Sequence, residues 1–227
     1  MYHIGMTQWI VGDEPLEVSC KRMQACGYDG IEFAAEPYQL DPAECKELMK
    51  KYDLNCHSLC GIFGEDRDLT SAGEAGKNAV QYIKDSVDFA CEVGAKLMIV
   101  VPSPVGRTVK PEGVGIDELT ENAVRNIREA ADYAGAHGIK LAIEAINRYE
   151  TYFVNTLKKA VTLVEKIDHP AVGIMADLFH MSIEEGSMVD SLYMIKDYLL
   201  HVHIADNTRE PAGMGRTDFK EVLRALN

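Results

Sequence analysis

The chain has 227 residues, 47% of them hydrophobic, and sets 36 Asp+Glu against 23 Lys+Arg for a formal net charge of -13. That length supports one sizeable core, read as a single domain over residues 1–227. The acidity repels phosphate backbones and no basic patch offsets it, which excludes a nucleic-acid partner; the longest apolar runs, such as AKLMIVV, are far too short to span a bilayer, which excludes a membrane protein.

Residues 2–10 read as a first strand, followed by a helix over 15–26 that stops at Gly27. YDGIEFA is a second strand, and DPAECKELMKKY a helix with Asp41 as cap and Pro42 at its first position. LNCHSLCGIF is a third strand, and a long helix runs from about Ser71 to Val93 before Gly94. AKLMIVVPSP is a fourth strand, ended by prolines, and residues 117–137 form the next helix. IKLAIEAIN is a fifth strand, and TLKKAVTLVEKI a helix capped by Asn155 or Thr156. AVGIMAD is a sixth strand with a helix near 187–197, LLHVHIAD a seventh, and DFKEVLRAL a last helix from Asp218.

About seven β-α units thus alternate without a linker, which implies a parallel sheet with right-handed crossovers. An open doubly wound sheet and a closed (β/α)₈ barrel both fit. The turn after the first strand, GMTQWIVGDEP, is not the Gly-rich turn of a dinucleotide-binding sheet. The expectation is therefore a TIM barrel, C-terminally incomplete, whose eighth unit lies beyond Asn227. The N-terminus shows no basic leader or signal-like block. The six cysteines, Cys20, Cys26, Cys45, Cys56, Cys60 and Cys91, include no C-x-x-C pair. A cytoplasmic protein with reduced, packing thiols is expected.

In a β-α barrel, chemistry gathers where the strands end. The fifth strand ends on Glu144, the sixth on Asp177, and the seventh carries His201 and His203 on the face opposite Val202 and Ile204. A strand-end Asp is ordinarily a helix cap, and a lone His ordinarily a satisfied core residue. Glu144 has no cap to make, and an unpaired buried carboxylate is costly or becomes neutral. Two carboxylates crowded into one lumen repel unless a cation lies between them. Glu144, Asp177 and His203 together read as a metal site, with His201 packing beside it. The oxygen, oxygen and nitrogen set suits Mn²⁺, Mg²⁺, Co²⁺ or Zn²⁺.

The segments EAINRYE, DLFHMSIEE and HVHIADNTR, in that order within residues 141–216, resemble the sugar phosphate isomerase/epimerase family of xylose-isomerase-like barrels, nearest to ketose 3-epimerases of the tagatose/psicose (allulose) type. The resemblance implies a (β/α)₈ fold and a divalent metal, commonly Mn²⁺ or Co²⁺. Carried over, it makes Glu144, Asp177 and His203 the ligands and Glu144 also an acid/base group. It makes Glu150, His180 and Arg209 the residues that hold the sugar's hydroxyls. Its fourth ligand and second acid/base group, a glutamate on the eighth strand, would lie beyond Asn227, so weakened metal binding and little turnover are expected of the chain as it stands. The activity implied is ketose 3-epimerisation by proton abstraction through a metal-stabilised cis-enediolate. A lyase of the same barrel class, dehydrating an inosose or a dehydroshikimate-like acid, and a non-catalytic sugar-binding protein are the alternatives. A homo-oligomer is compatible with either. The Gly/Arg stretch NTREPAGMGR is either an anion cradle or a flexible loop.

Overall fold

The computed structural model describes residues 3–227. In chain order the elements are β1 (Gly5–Thr7), a 3₁₀ turn (Gln8–Val11), α1 (Leu16–Cys26), β2 (Gly30–Ala34), α2 (Pro42–Tyr52), β3 (Asn55–Cys60), α3 (Glu74–Val93) and β4 (Leu97–Val100). There follow α4 (Ile116–Ala136), β5 (Lys140–Glu144), α5 (Leu157–Ile167), β6 (Val172–Asp177), α6 (Leu178–Glu184), α7 (Met188–Ile195), β7 (Leu199–His203) and α8 (Phe219–Ala225).

All seven strands are parallel, and each lies beside its sequence neighbour in the order β1-β2-β3-β4-β5-β6-β7. A doubly wound sheet reverses its order midway; this one never does. The sheet also curls. β2 and β7 are five strand spacings apart in the order, about 24 Å if the sheet were flat. Yet Glu32 on β2 and His203 on β7 meet at 2.9 Å. These are seven βα units of a TIM barrel, as the alternation predicts.

Two layers of apolar packing follow from strand alternation. Residues such as Ile31, Phe33, Leu59 and Ile143 face outward and join the helices in one large cluster. Cys60, Leu97, Ile99, Ala142 and Met175 form a separate cluster inside the curl. This small apolar floor lies beneath the ends of β5 and β6.

Several local expectations are refined. The first strand is shorter than residues 2–10 because the chain coils into the 3₁₀ turn after Thr7, and the expected start at Tyr2 lies outside the described residues. Asp41 caps α2 by accepting the Ala43 N–H at 2.9 Å. Thr156 caps α5, while Asn155 donates instead to the Ile146 and Thr151 carbonyls. The helix α6 is not anticipated: its cap, Asp177, is also the last residue of β6, so no loop marks its start. Of the cysteines, Cys20, Cys45, Cys56 and Cys60 are buried as packing thiols, but Cys26 and Cys91 are exposed. No helix among the described residues is long and apolar enough to cross a membrane.

Candidate active site at the C-terminal strand ends

Glu144 closes β5, and 6% of it is exposed. Asp177 closes β6, in register with His203 at the end of β7. Ligand atoms of Glu144, Asp177 and His180 all lie within 4.8 Å of one another. A neighbouring group, equally tight, joins Glu32, His201 and His203. His203 links the two: Nδ1 is 3.6 Å from Asp177 Oδ2, and Nε2 is 2.9 Å from Glu32 Oε1.

Asp177 does two things at once. Its Oδ1 accepts the N–H groups of Phe179 and His180, at 2.7 and 3.1 Å, and so caps α6. Its Oδ2 is left to face His203. Capping and chemistry are therefore shared between the two oxygens of one side chain.

Hydrogen bonds also settle which imidazole nitrogen is free. The backbone N–H of Asn147 points at His180 Nδ1 at 3.4 Å, and the Asn147 side-chain amide lies 2.8 Å away. A backbone N–H can only donate, so Nδ1 accepts, and the proton of a neutral ring sits on Nε2, which faces Glu144 Oε1 at 3.7 Å. His180 is thus a donor into the site rather than a ligand. His203 is the reverse case. Its Nε2–H is taken by Glu32, and Nδ1 is the nitrogen left for a cation. The 3.6 Å between that nitrogen and Asp177 Oδ2 is the spacing of two donors sharing one ion at ~2.1 Å each.

The electrostatics agree. Burial, then the charge of Asp177, pushes the Glu144 carboxyl up to about 8. At Asp177 burial is outweighed by His203 and His180, and the carboxyl stays below its ordinary value. At His203 burial is outweighed by Glu32 and Asp177, and the ring is held well above the ordinary range. Burial lowers His180. A Glu144 carboxyl held toward its protonated form by burial and by ionised Asp177 thus stands beside an imidazole that must shed a proton to coordinate. A divalent cation would relieve both strains, so the donor set fits one.

Beyond these, Glu150 Oε1 accepts from Asn147 Nδ2 at 2.9 Å and from Arg209 Nη1 at 3.0 Å. Arg209 stacks over the Phe179 ring, 4.6 Å from its centroid, with a left-handed φ of 64°. The structure therefore brings Glu144, Asp177, His203, His180, Glu150 and Arg209 to one end of the sheet. It adds Asn147, which ties His180 to Glu150, and Glu32, which sequence reasoning missed. The signal for Glu32 was the one used for Glu144: a carboxylate set among apolar residues in a strand, with no helix to cap.

The sequence profile described as xylose isomerase-like TIM barrel matches residues 20–227. The chain belongs to that family. A D-psicose 3-epimerase from Ruminiclostridium cellulolyticum is 38% identical to this barrel over 215 residues, covering 91% of the chain and 72% of the relative. The crystal structure of a D-allulose 3-epimerase from Methylomonas sp. in complex with D-allulose superposes on it with a TM-score of 0.89, at 28% identity, over 98% of this chain and 78% of that one. A 3-keto-D-glucoside 4-epimerase from E. coli, solved without ligand, gives a TM-score of 0.89 at 26% identity over 100% of this chain and 87% of that one.

Proposed function

We propose that this barrel is a divalent-metal-dependent ketose 3-epimerase acting on an unphosphorylated sugar; that it is a carbohydrate epimerase/isomerase follows from its family and relatives. The observation that carries the finer reading is the buried Glu144 carboxyl beside Asp177, with one imidazole offering a bare nitrogen and another an N–H. Glu144, Asp177 and His203 would hold the cation. Once bound, it would polarise the ketose carbonyl and acidify the adjacent C–H.

The chain's own residues do the rest. Glu144, buried at the end of β5 where the site opens, takes the proton from the carbon beside the carbonyl. His180 offers Nε2–H to a substrate oxygen, and its orientation is fixed by Asn147. Arg209, held by Glu150 and Phe179, brings a charge-assisted donor to the hydroxyls. Inversion needs a second proton-transfer group on the opposite face of the sugar.

The loop after β7 favours a free sugar. Its amides from Asn207, Gly213, Gly215 and Thr217 all converge on the Asp206 carboxylate. The backbone nest that could cradle a phosphate already holds a carboxylate.

Incubation of protein extended to carry an eighth-strand glutamate with Mn²⁺ and ketohexoses in D₂O tests the proposal. Deuterium is expected at C3 of the epimerised sugar, and Glu144→Gln should slow exchange by roughly 10²–10⁴-fold. Deuterium at C4 of a 3-keto-glycoside instead would favour the 4-epimerase reading, which the fit to the E. coli enzyme raises. No exchange with any ketose would sink both.

A further inference from the structure

We propose that Glu32 is the positioning carboxylate of this site: it grips the His203 ring through Nε2 so that Nδ1 is presented to the cation, an assignment that rests on the metal-dependent reading above. Only 4% of Glu32 is exposed. A buried carboxylate is tolerated when donors surround it, and four do. Oε1 accepts from His203 Nε2 at 2.9 Å and Thr7 Oγ1 at 3.0 Å. Oε2 accepts from Ser58 Oγ at 2.6 Å and faces His201 Nε2 at 3.1 Å. Both oxygens are committed, so Glu32 acts through His203 and not on the sugar.

The backbone is arranged to build this grip. Thr7, Glu32 and Ser58 stand in register on three adjacent strands. Ser58 reaches that position only because the β2–β3 ladder slips by one residue at Ile31/Glu32, which passes over His57. A second slip, at Ile174/Met175 in the β6–β7 ladder, sets His201 beside Met175 and His203 beside Asp177. Irregularities of this kind re-aim side chains near active sites. A packing role alone would be served as well by an apolar residue of similar volume, without the desolvation cost. The arrangement makes sense if the imidazole has to be held in one orientation, as the outer partners of metal-ligating histidines do.

Mn²⁺ affinity of chelator-treated protein, measured by titration calorimetry, tests the inference without reference to turnover. Glu32→Ala should weaken binding about 10–100-fold. Glu32→Gln, whose amide oxygen can still accept from His203, should recover part of the loss. In Zn²⁺-loaded protein, ¹⁵N shifts should show His203 protonated at Nε2 and metal-bound at Nδ1. If Glu32→Ala fails to fold, the double variant Thr7→Val/Ser58→Ala strips two supports and leaves the carboxylate, and several-fold weaker binding is expected. Unchanged affinity in the folded variants, or a metal shift on Nε2, overturns the role of Glu32. A wild-type protein that binds neither ion overturns instead the metal-dependent reading beneath it.

Discussion

At Asp206 the N–H groups of Asn207, Gly213, Gly215 and Thr217 converge on one side chain. Gly213 supplies a left-handed φ of 93°, and at Gly215 a Cβ would collide with the Asp206 carboxylate, so the tight wrap depends on both glycines. Burial opposes ionisation here, but the Thr217, Gly215 and Asn207 amides outweigh it and hold the carboxyl well below its ordinary value. A depressed acid contributes stability above its unfolded pKa, about 3.9, and loses that contribution as pH falls toward the folded value. Asp206→Asn should therefore lower the melting temperature at pH 7, and its gap from wild type should narrow steadily as pH falls from about 4 toward 2. A constant offset across that range would show that charge is not what orders the loop. Because Arg209 rides on this loop, the same substitution should raise KM more than it lowers kcat under the proposed function.

Among the elements, α6 carries the most instruction. It is a short helix whose cap doubles as a candidate ligand, and the two duties of Asp177 fall on different oxygens. They should separate by mutation. Asp177→Asn keeps an oxygen for the Phe179 and His180 amides but loses the charge. Asp177→Ala loses both and should be about 1 kcal/mol less stable than Asp177→Asn in urea titrations of metal-free protein. Both should fail to bind Mn²⁺. Equal stability of the two variants would mean that the cap contributes nothing. This helix also marks where sequence reading gave out. A strand that runs straight into a helix leaves no turn residues between them, so the helix that carries His180 went unseen. The ladder slips beside Glu32 and His201 are equally silent in sequence, because a one-residue offset in register has no compositional mark.

For the whole molecule, the strand order and barrel class were legible because apolar runs alternate with amphipathic helical segments along the chain. The strand-end groups Glu144 and Asp177 were legible because ionisable residues stand out against Ile, Ala and Met. What sequence could not convey was contact across the lumen. Glu32 sits on β2 in the pattern that singled out Glu144, yet nothing local says that it faces two histidines from the far edge of the sheet. Whole-protein stability offers a direct test of the cation. Mn²⁺ at a hundredfold excess over its dissociation constant should stabilise the fold by about 2.7 kcal/mol. For a chain of 227 residues that is a rise in melting temperature of roughly 5–10 °C. Asp177→Asn should abolish it, and an equal rise in that variant would place the ion elsewhere.

Glu32 and His203 are separated by 171 positions along the chain. Bringing them together means closing about three-quarters of the polypeptide into a ring, a contact far less local than those between neighbouring strands. A nascent chain still short of its seventh strand holds Glu144 and Asp177 but has nothing to complete their company. Under the proposed function, ion capture would therefore wait until β7 has closed on β2, because His203 reaches Asp177 and Glu32 only then.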